Sequence, residues 1–381
     1  MEQKLYTIDS IKDLIPVLPV DYKDQSILSE ESEDMNLVNY FFSSITCGDT
    51  AVEKLLYEVI GYSLAKTSML CRGFLFRGAG RNGKSKIFRI LEALLGDELC
   101  SHEHLEKLSG TKPGAKSTIK NLNGATCNIA EDQKPCRYIN TSLLTRAISG
   151  EPIAISDTET MVPYATMLFS VNEVIDFKET GLYITDRLIL IDFNATFTDS
   201  NNNRYVNIGE ELCKPKPLQI IATRAINAFV EVLNNGKFTI PQTVVESTNK
   251  YFLECNNVAE FCKMYPIKKF IAKSIYYKEY CTWCNYNNKE AVCNTKFGRE
   301  VLNLGYHAER YSFKNDRKTY YTAPDFDNNK AQDVYQKYLT DNGISEITAQ
   351  SLTEEQMMAT FGNCSFADYQ TEMLYSDNIP E

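Results

Sequence analysis

The chain has no apolar run approaching the roughly 20 residues that a membrane-spanning helix requires, so no membrane association is expected. Its opening residues, MEQKLYTIDSIKDLIPVLPV, lack the basic-then-apolar layout of a secretory signal. That absence places the protein in the cytoplasm, of a bacterial cell or of a host. An overall positive surplus is also missing: the net charge is −10 and the sequence pI about 5.1, which taken alone argues against a nucleic-acid partner. Twelve cysteines are present but scattered, and without an export signal they read as reduced, mostly buried thiols rather than a disulfide framework. Cys281, Cys284 and Cys293 have no fourth ligand at zinc spacing, with His307 the one histidine nearby. The Cys281–Cys284 pair falls in a helical pattern with Trp283 and reads as a core face. No internal repeat is found.

What is present is more informative. At 381 residues the chain exceeds one ordinary core and implies two or three domains. Between Phe261 and Thr322 stand twelve basic and five acidic side chains, a surplus of seven. From Ala331 onward Lys337 is the only basic residue against nine acids. The acidic average therefore hides a basic unit and an acidic tail.

Four stretches follow from pattern. Residues 1–67 read as a helical N-terminal domain, because EDMNLVNYFFSSITCGDTAVEKLLYEVIGYSLAK repeats its apolar residues every three or four positions. Residues 68–238 alternate short apolar runs (GFLF, ATCNIA, TMLFSV, RLILIDF) with helical patterns, which predicts a parallel sheet with helices on its faces. The run PKPLQIIATRAINAFVEVLNN predicts a closing helix. Residues 239–325 show three helical patterns followed by a hairpin around Lys314, Asn315 and Asp316, the layout of a winged helix. Residues 326–381 form an acidic tail with weak periodicity, read as partly disordered.

The strongest motif is GAGRNGKS, with Gly78, Gly83, Lys84 and Ser85 at the fixed positions of a P-loop. An apolar strand precedes it and a helical pattern follows. Gly78, Ala79, Gly80, Arg81, Asn82 and Gly83 would curl backbone amides round phosphates, and the helix opening at Lys84, Ser85 and Lys86 would turn its positive end to them. Lys84 would reach the β- and γ-phosphates of ATP, and Ser85 would hold Mg2+. Glu131 and Asp132 end the next long strand, where one acid would coordinate the metal and one would polarise water; which does which stays open. Asn172 ends the strand TMLFSV and would sense the γ-phosphate, unless it merely caps a turn. Arg187 opens the strand RLILIDF and would act as an arginine finger on a neighbouring subunit, unless it is a plain surface arginine.

This ordered set (GAGRNGKS, IAED, FSVNE, TDRLILIDF) resembles the superfamily 3 helicases, within the poxvirus and phage/plasmid primase-helicase family, over residues 35–325. LLYEVIGYSLAK, LLTRAISGEPI, YYKEYCTWCNY and TKFGREVLNLGY add to the likeness, and the set resembles replication initiator-helicases of staphylococcal mobile islands. The resemblance implies an α/β fold with a three-layer AAA+ core, a hexameric ring around DNA, ATP with Mg2+, 3′-to-5′ travel and a separate or fused primase. It implies roles for Lys84, Ser85, Glu131, Asp132, Asn172 and Arg187 as above. One span departs from the pattern. The hairpin expected to face the DNA channel, IAISDTETMVPYA, is acidic at its tip and carries no lysine. Phosphate contacts would then come from Arg146, Lys107, Lys112, Lys116 or Lys120. In the winged helix, Lys296 and Arg299 would point at DNA from the recognition helix, with Arg310, Lys314, Arg317 and Lys318 on the wing and aromatics such as Tyr306, Tyr311, Phe313, Tyr320 and Tyr321 among them.

Three functions remain to be separated: a hexameric helicase and initiator, an ATP-regulated origin-binding switch with little unwinding, and a remodelling ATPase that does not act on DNA. The acidic hairpin leans toward the switch, and the basic unit argues against the third.

Overall fold

A computed structural model describes residues 5–108, 115–133, 141–156, 158–172, 175, 177, 182–197, 207–268, 270–313 and 316–324. The chain divides into two compact units, with the division at Cys255 and Asn256. Among the described residues no helix is long and apolar enough to cross a membrane.

The first unit opens with α1 (Glu33–Ile45) and α2 (Thr50–Ser63). Ser32 caps α1 by accepting from the Met35 amide, and Asp49 caps α2 by accepting from Ala51 and Val52. The single helical run expected here is broken between them, where Cys47 and Gly48 both take positive φ. Then come β1 (Gly73–Arg77), α3 (Lys84–Leu95), β2 (Cys100–Ser101), α4 (Ala115–Lys120), β3 (Cys127–Gln133) and α5 (Ser142–Ile148). A short hairpin of β4 (Ile153–Ala154) and β5 (Thr160–Met161) precedes β6 (Thr166–Val171). After α6 (Leu182–Thr185), β7 (Leu188–Asp192) and α7 (Ile208–Glu211), the unit closes with α8 (Pro215–Asn235) and α9 (Gln242–Glu254). Two prolines start α8, and Gly236 in the left-handed region ends it.

Five strands form one parallel sheet in the order β2-β3-β6-β1-β7. Strand β6 is buried at all six positions, as a strand covered on both faces must be. Side chains alternate between the faces with period two. Phe74 and Phe76 join one core with Ile129, Leu168, Ile191 and residues of α1, α2, α3 and α8. Leu75 joins the opposite core with Met167, Phe169, Leu190 and Tyr251 of α9. The molecule is thus a mixed α/β structure with helices on both sheet faces, compatible with a P-loop-like core. Helices α1 and α2, expected as a unit of their own, share the first of these cores.

The second unit contains α10 (Asn257–Met264), β8 (Phe270–Ala272), α11 (Lys273–Tyr286), α12 (Asn294–Asn303), β9 (His307–Phe313) and β10 (Asp316–Thr322). Its antiparallel sheet has the order β8-β10-β9. The first helical pattern expected in residues 239–325, VVESTNKYFLECNNVAEFCKM, is two helices. It breaks at Cys255 and Asn256, where the Asn256 side chain caps α10, and α9 belongs to the first unit. Phe261, Tyr276, Tyr280, Trp283, Phe297 and Tyr321 build an aromatic core, with Phe297 and Tyr280 ring centroids 4.7 Å apart. Cys284 is buried in that core, and ten cysteines of the described residues are free thiols. The acidic tail of residues 326–381 lies outside the described residues.

Candidate functional site

A parallel sheet brings the carboxyl ends of its strands to one edge, where α/β proteins bind ligands. Here that edge carries the loop after β1, the acids of β3 and the turn after β6. Strand β1 lies between β6 and β7, so the loop from Gly78 to Gly83 opens at the inner part of the edge.

The loop is tied from several sides. The Gly78 amide donates to the Val171 carbonyl at 3.2 Å, and the Phe197 amide donates to the Arg81 carbonyl at 2.8 Å. Asn82 is buried, and its side-chain amide donates to the Phe193 carbonyl at 3.3 Å. Gly80, Arg81 and Gly83 all have positive φ. At Gly83 (φ +94°) a Cβ would meet Ile45 Cγ2 of α1 at 2.4 Å, so the site requires glycine on both counts. Helix α3 begins at once, with Lys84 as its first residue, Ser85 exposed beside it and Lys86 half-buried.

Lys84 is buried. Its ammonium donates to the Gly78 carbonyl and to Asn172 Oδ1, the latter at 3.3 Å. The loop lysine and the strand-end amide are therefore brought together by the fold. Glu131 is half-buried near the end of β3, where the register with β6 shifts between Ala130 and Gln133. Such a bulge re-aims the side chains at its apex. The side chain of Asp132 lies outside what is described. Glu92 of α3 has its carboxyl raised above the ordinary range, by burial first, with His102 opposing and the charge of Glu131 adding to it.

Arg187 is not at this edge. It precedes β7 at the amino end, its carbonyl accepting from Gly73 and its Nε donating to Ser149 Oγ at 2.8 Å. A five-residue strand, about 16 Å at 3.3 Å per residue, separates it from the loop of its own chain. No single side chain bridges that gap.

A charged cluster missed by sequence reading lies next to the loop. Arg77, the last residue of β1, makes a two-point contact with Asp192, the last residue of β7, at 2.6 and 3.0 Å. Ser247 of α9 donates to Asp192 Oδ2 at 2.6 Å. The Asp192 carboxyl stays below its ordinary range: burial opposes this, and the bonds from Arg77 and Ser247 outweigh it. Arg77 and Asp192 each end an apolar run, but only the pairing of β1 with β7 brings them together.

The candidate DNA contacts are dispersed. Arg146 of α5 pairs with Glu151 at 3.5 Å and donates to the Pro152 carbonyl. In the β4–β5 hairpin Glu159 pairs with Lys120 of α4 at 3.2 Å, and Lys107 pairs with Glu103 at 3.4 Å. Lys112, Asp157 and Lys314 lie outside the described residues, as do the side chains of Lys116, Tyr311, Phe313, Arg317 and Lys318. On α12, Phe297 and Val301 are buried, while Lys296 is half-buried and Arg299 exposed. Arg310 is exposed on β9. Tyr320 and Tyr321, interleaved in sequence with the basic residues, are core residues, 4% and 1% exposed. Their strand is the middle one of the three, and both side chains belong to the aromatic core.

No family model matches the chain, and no curated protein matches it. Among solved structures, the A form apo structure of NrS-1 C terminal region is similar at 10% identity and a TM-score of 0.43, over 84% of this chain and 79% of that one. Another apo structure of the same region gives 12% identity and a TM-score of 0.39, again over 84% and 79%.

Proposed function

We propose that the chain is an ATP-dependent DNA helicase of the superfamily 3 type, acting as a hexameric ring and also as a replication initiator. The carrying observation is the bond of Lys84 to Asn172, two residues 88 positions apart that meet at the mouth of the glycine loop. A lysine and an amide that converge there suit a γ-phosphate and the water that attacks it.

In this reading the amides of residues 78–83 and the amino end of α3 seat the phosphates of ATP. Ser85, with Glu131 and Asp132, holds Mg2+, which when bound neutralises charge on the β- and γ-oxygens. One of the two acids orients water, and Glu131→Gln compared with Asp132→Asn decides which. Arg187 serves the site of a neighbouring subunit, which fits its distance from its own loop. The order helix, strand, two helices and hairpin in the second unit supports a winged helix, with α12 toward the major groove and Arg310, Lys314, Arg317 and Lys318 toward the backbone. An AAA+ identity, 3′-to-5′ travel and a primase partner follow from the resemblance of the motifs.

A second reading, an ATP-regulated origin-binding switch with little unwinding, is favoured by one observation. The hairpin carries no lysine, and its Glu159 takes up the charge of Lys120. Displacement from a forked duplex with ATP and Mg2+, beside Lys84→Ala, separates the two. Displacement by the wild type and none by the variant supports the helicase. ATP hydrolysis and DNA binding without displacement favour the switch, and absence of hydrolysis sinks both.

A further inference from the structure

Helix α9 is more than a cover for the sheet. Strand β7 is an edge strand, and Thr248 takes up its Leu190 amide at 3.0 Å, which shields that edge. The same helix face makes two further bonds, both to segments bordering the candidate nucleotide site. Ser247 Oγ donates to Asp192 Oδ2, and Asp192 in turn holds Arg77, the residue directly before Gly78. Tyr251 is fully buried, and its hydroxyl accepts from the Ile175 amide at 3.0 Å, three residues beyond Asn172. The Arg77 guanidinium lies 5.6 Å from the centre of the Tyr251 ring, which joins the two bonds into one cluster. One helix thus bonds to the strand end that enters the glycine loop and to Ile175, three residues beyond Asn172.

We propose that Ser247 and Tyr251 are positioning residues for nucleotide turnover: through Asp192 and Arg77 on one side, and through Ile175 on the other, they set the spacing of Lys84 and Asn172. The proposal rests on the nucleotide-site reading above. A plain structural cover would need only the apolar face of α9 and Thr248. It would not need two polar bonds aimed at the two segments that flank the Lys84–Asn172 contact.

The test uses the full chain, with Ser247→Ala, Tyr251→Phe and, as a control on the exposed face of α9, Asn249→Ala. ATP hydrolysis is followed with Mg2+, and hydrogen exchange is measured at residues 78–84 and 172–175. Both cluster variants are expected to lose about tenfold in kcat with KM for ATP within about threefold, while Asn249→Ala matches the wild type. Exchange at both segments should quicken, with β3 unchanged. Unaltered kcat and unaltered exchange in Ser247→Ala and Tyr251→Phe overturn the proposal. If Tyr251→Phe fails to fold, Ser247→Ala decides alone. Absence of hydrolysis by the wild type would sink the ATPase reading instead, and the exchange data would still decide whether α9 positions the two segments.

Discussion

Lys84 Nζ donates to Asn172 Oδ1 at 3.3 Å and also to the Gly78 carbonyl, so the ammonium ties the strand-end amide to the first residue of the loop. In the proposed nucleotide site, a phosphate entering the loop would compete for the ammonium and free the Asn172 side chain for water. Asn172→Ala should therefore leave nucleotide affinity within a few-fold and lower kcat by about a hundredfold, the usual scale for one preorganised polar group. Lys84→Ala should remove hydrolysis. Titration with a fluorescent nucleotide beside single-turnover hydrolysis checks both. Parallel losses of affinity and kcat in Asn172→Ala would remove its sensing role.

Gly83→Ala tests the packing of α1 on the loop. A Cβ at this φ of +94° is strained and lies 2.4 Å from Ile45 Cγ2. The substitution should destabilise the protein by about 1–3 kcal/mol, with a clear fall in Tm. Gly80→Ala meets no neighbour within 4 Å, so only its φ of +99° opposes it and the fall should be smaller. Equal falls would mean that the Ile45 contact carries no cost.

The candidate motif stands out in the sequence because phosphate binding would call for those residue types at that spacing. The apolar runs were legible because a strand covered on both faces is mostly apolar, as β6 is, buried at every position from Thr166 to Val171. Pairings between distant segments were not. Nothing local shows that Arg77 lies opposite Asp192, or that Tyr251 reaches Ile175, since register between non-consecutive strands is set by the whole sheet. The two-residue strand β2 and the three-residue strand β8 were too short to show a period. Asn256 caps α10 and separates it from α9, which lies in the first unit.

Arg187 should act between subunits. Because it lies a full strand length from its own loop, Arg187→Ala should lower hydrolysis by about a thousandfold without loss of nucleotide affinity. Mixing Arg187→Ala with Lys84→Ala should restore part of the activity, since some interfaces then pair an intact loop with an intact arginine. Mixtures no more active than either variant would sink the shared-site reading.

Glu58 offers a test by pH. It is fully buried in α2, accepts from the Thr239 amide at 2.7 Å, and its Oε1 has no hydrogen-bond partner among the described residues. Burial raises its pKa above the ordinary value, with the Thr239 bond opposing. A raised folded-state pKa favours folding at low pH. That advantage is lost as pH climbs from the unfolded value, about 4.3, through the folded one. Glu58→Gln, which still accepts from Thr239, should gain Tm over the wild type at pH 8 and lose that gain toward pH 4. A gap independent of pH would refute this.

The second unit should read DNA with two distinct residues. Arg299 is exposed on α12, on the side away from buried Phe297 and Val301, while Arg310 is exposed on β9. In a winged helix the helix meets base edges and the wing meets phosphates. Removing a phosphate contact lowers the slope of log K against log salt by about 0.9, whatever the sequence. Arg310→Ala should do this. Arg299→Ala should leave the slope alone and narrow the preference for an origin site over random duplex by about 1–3 kcal/mol. If neither variant alters binding, the basic unit contacts protein rather than DNA, because a surplus of seven positive charges can equally face an acidic partner.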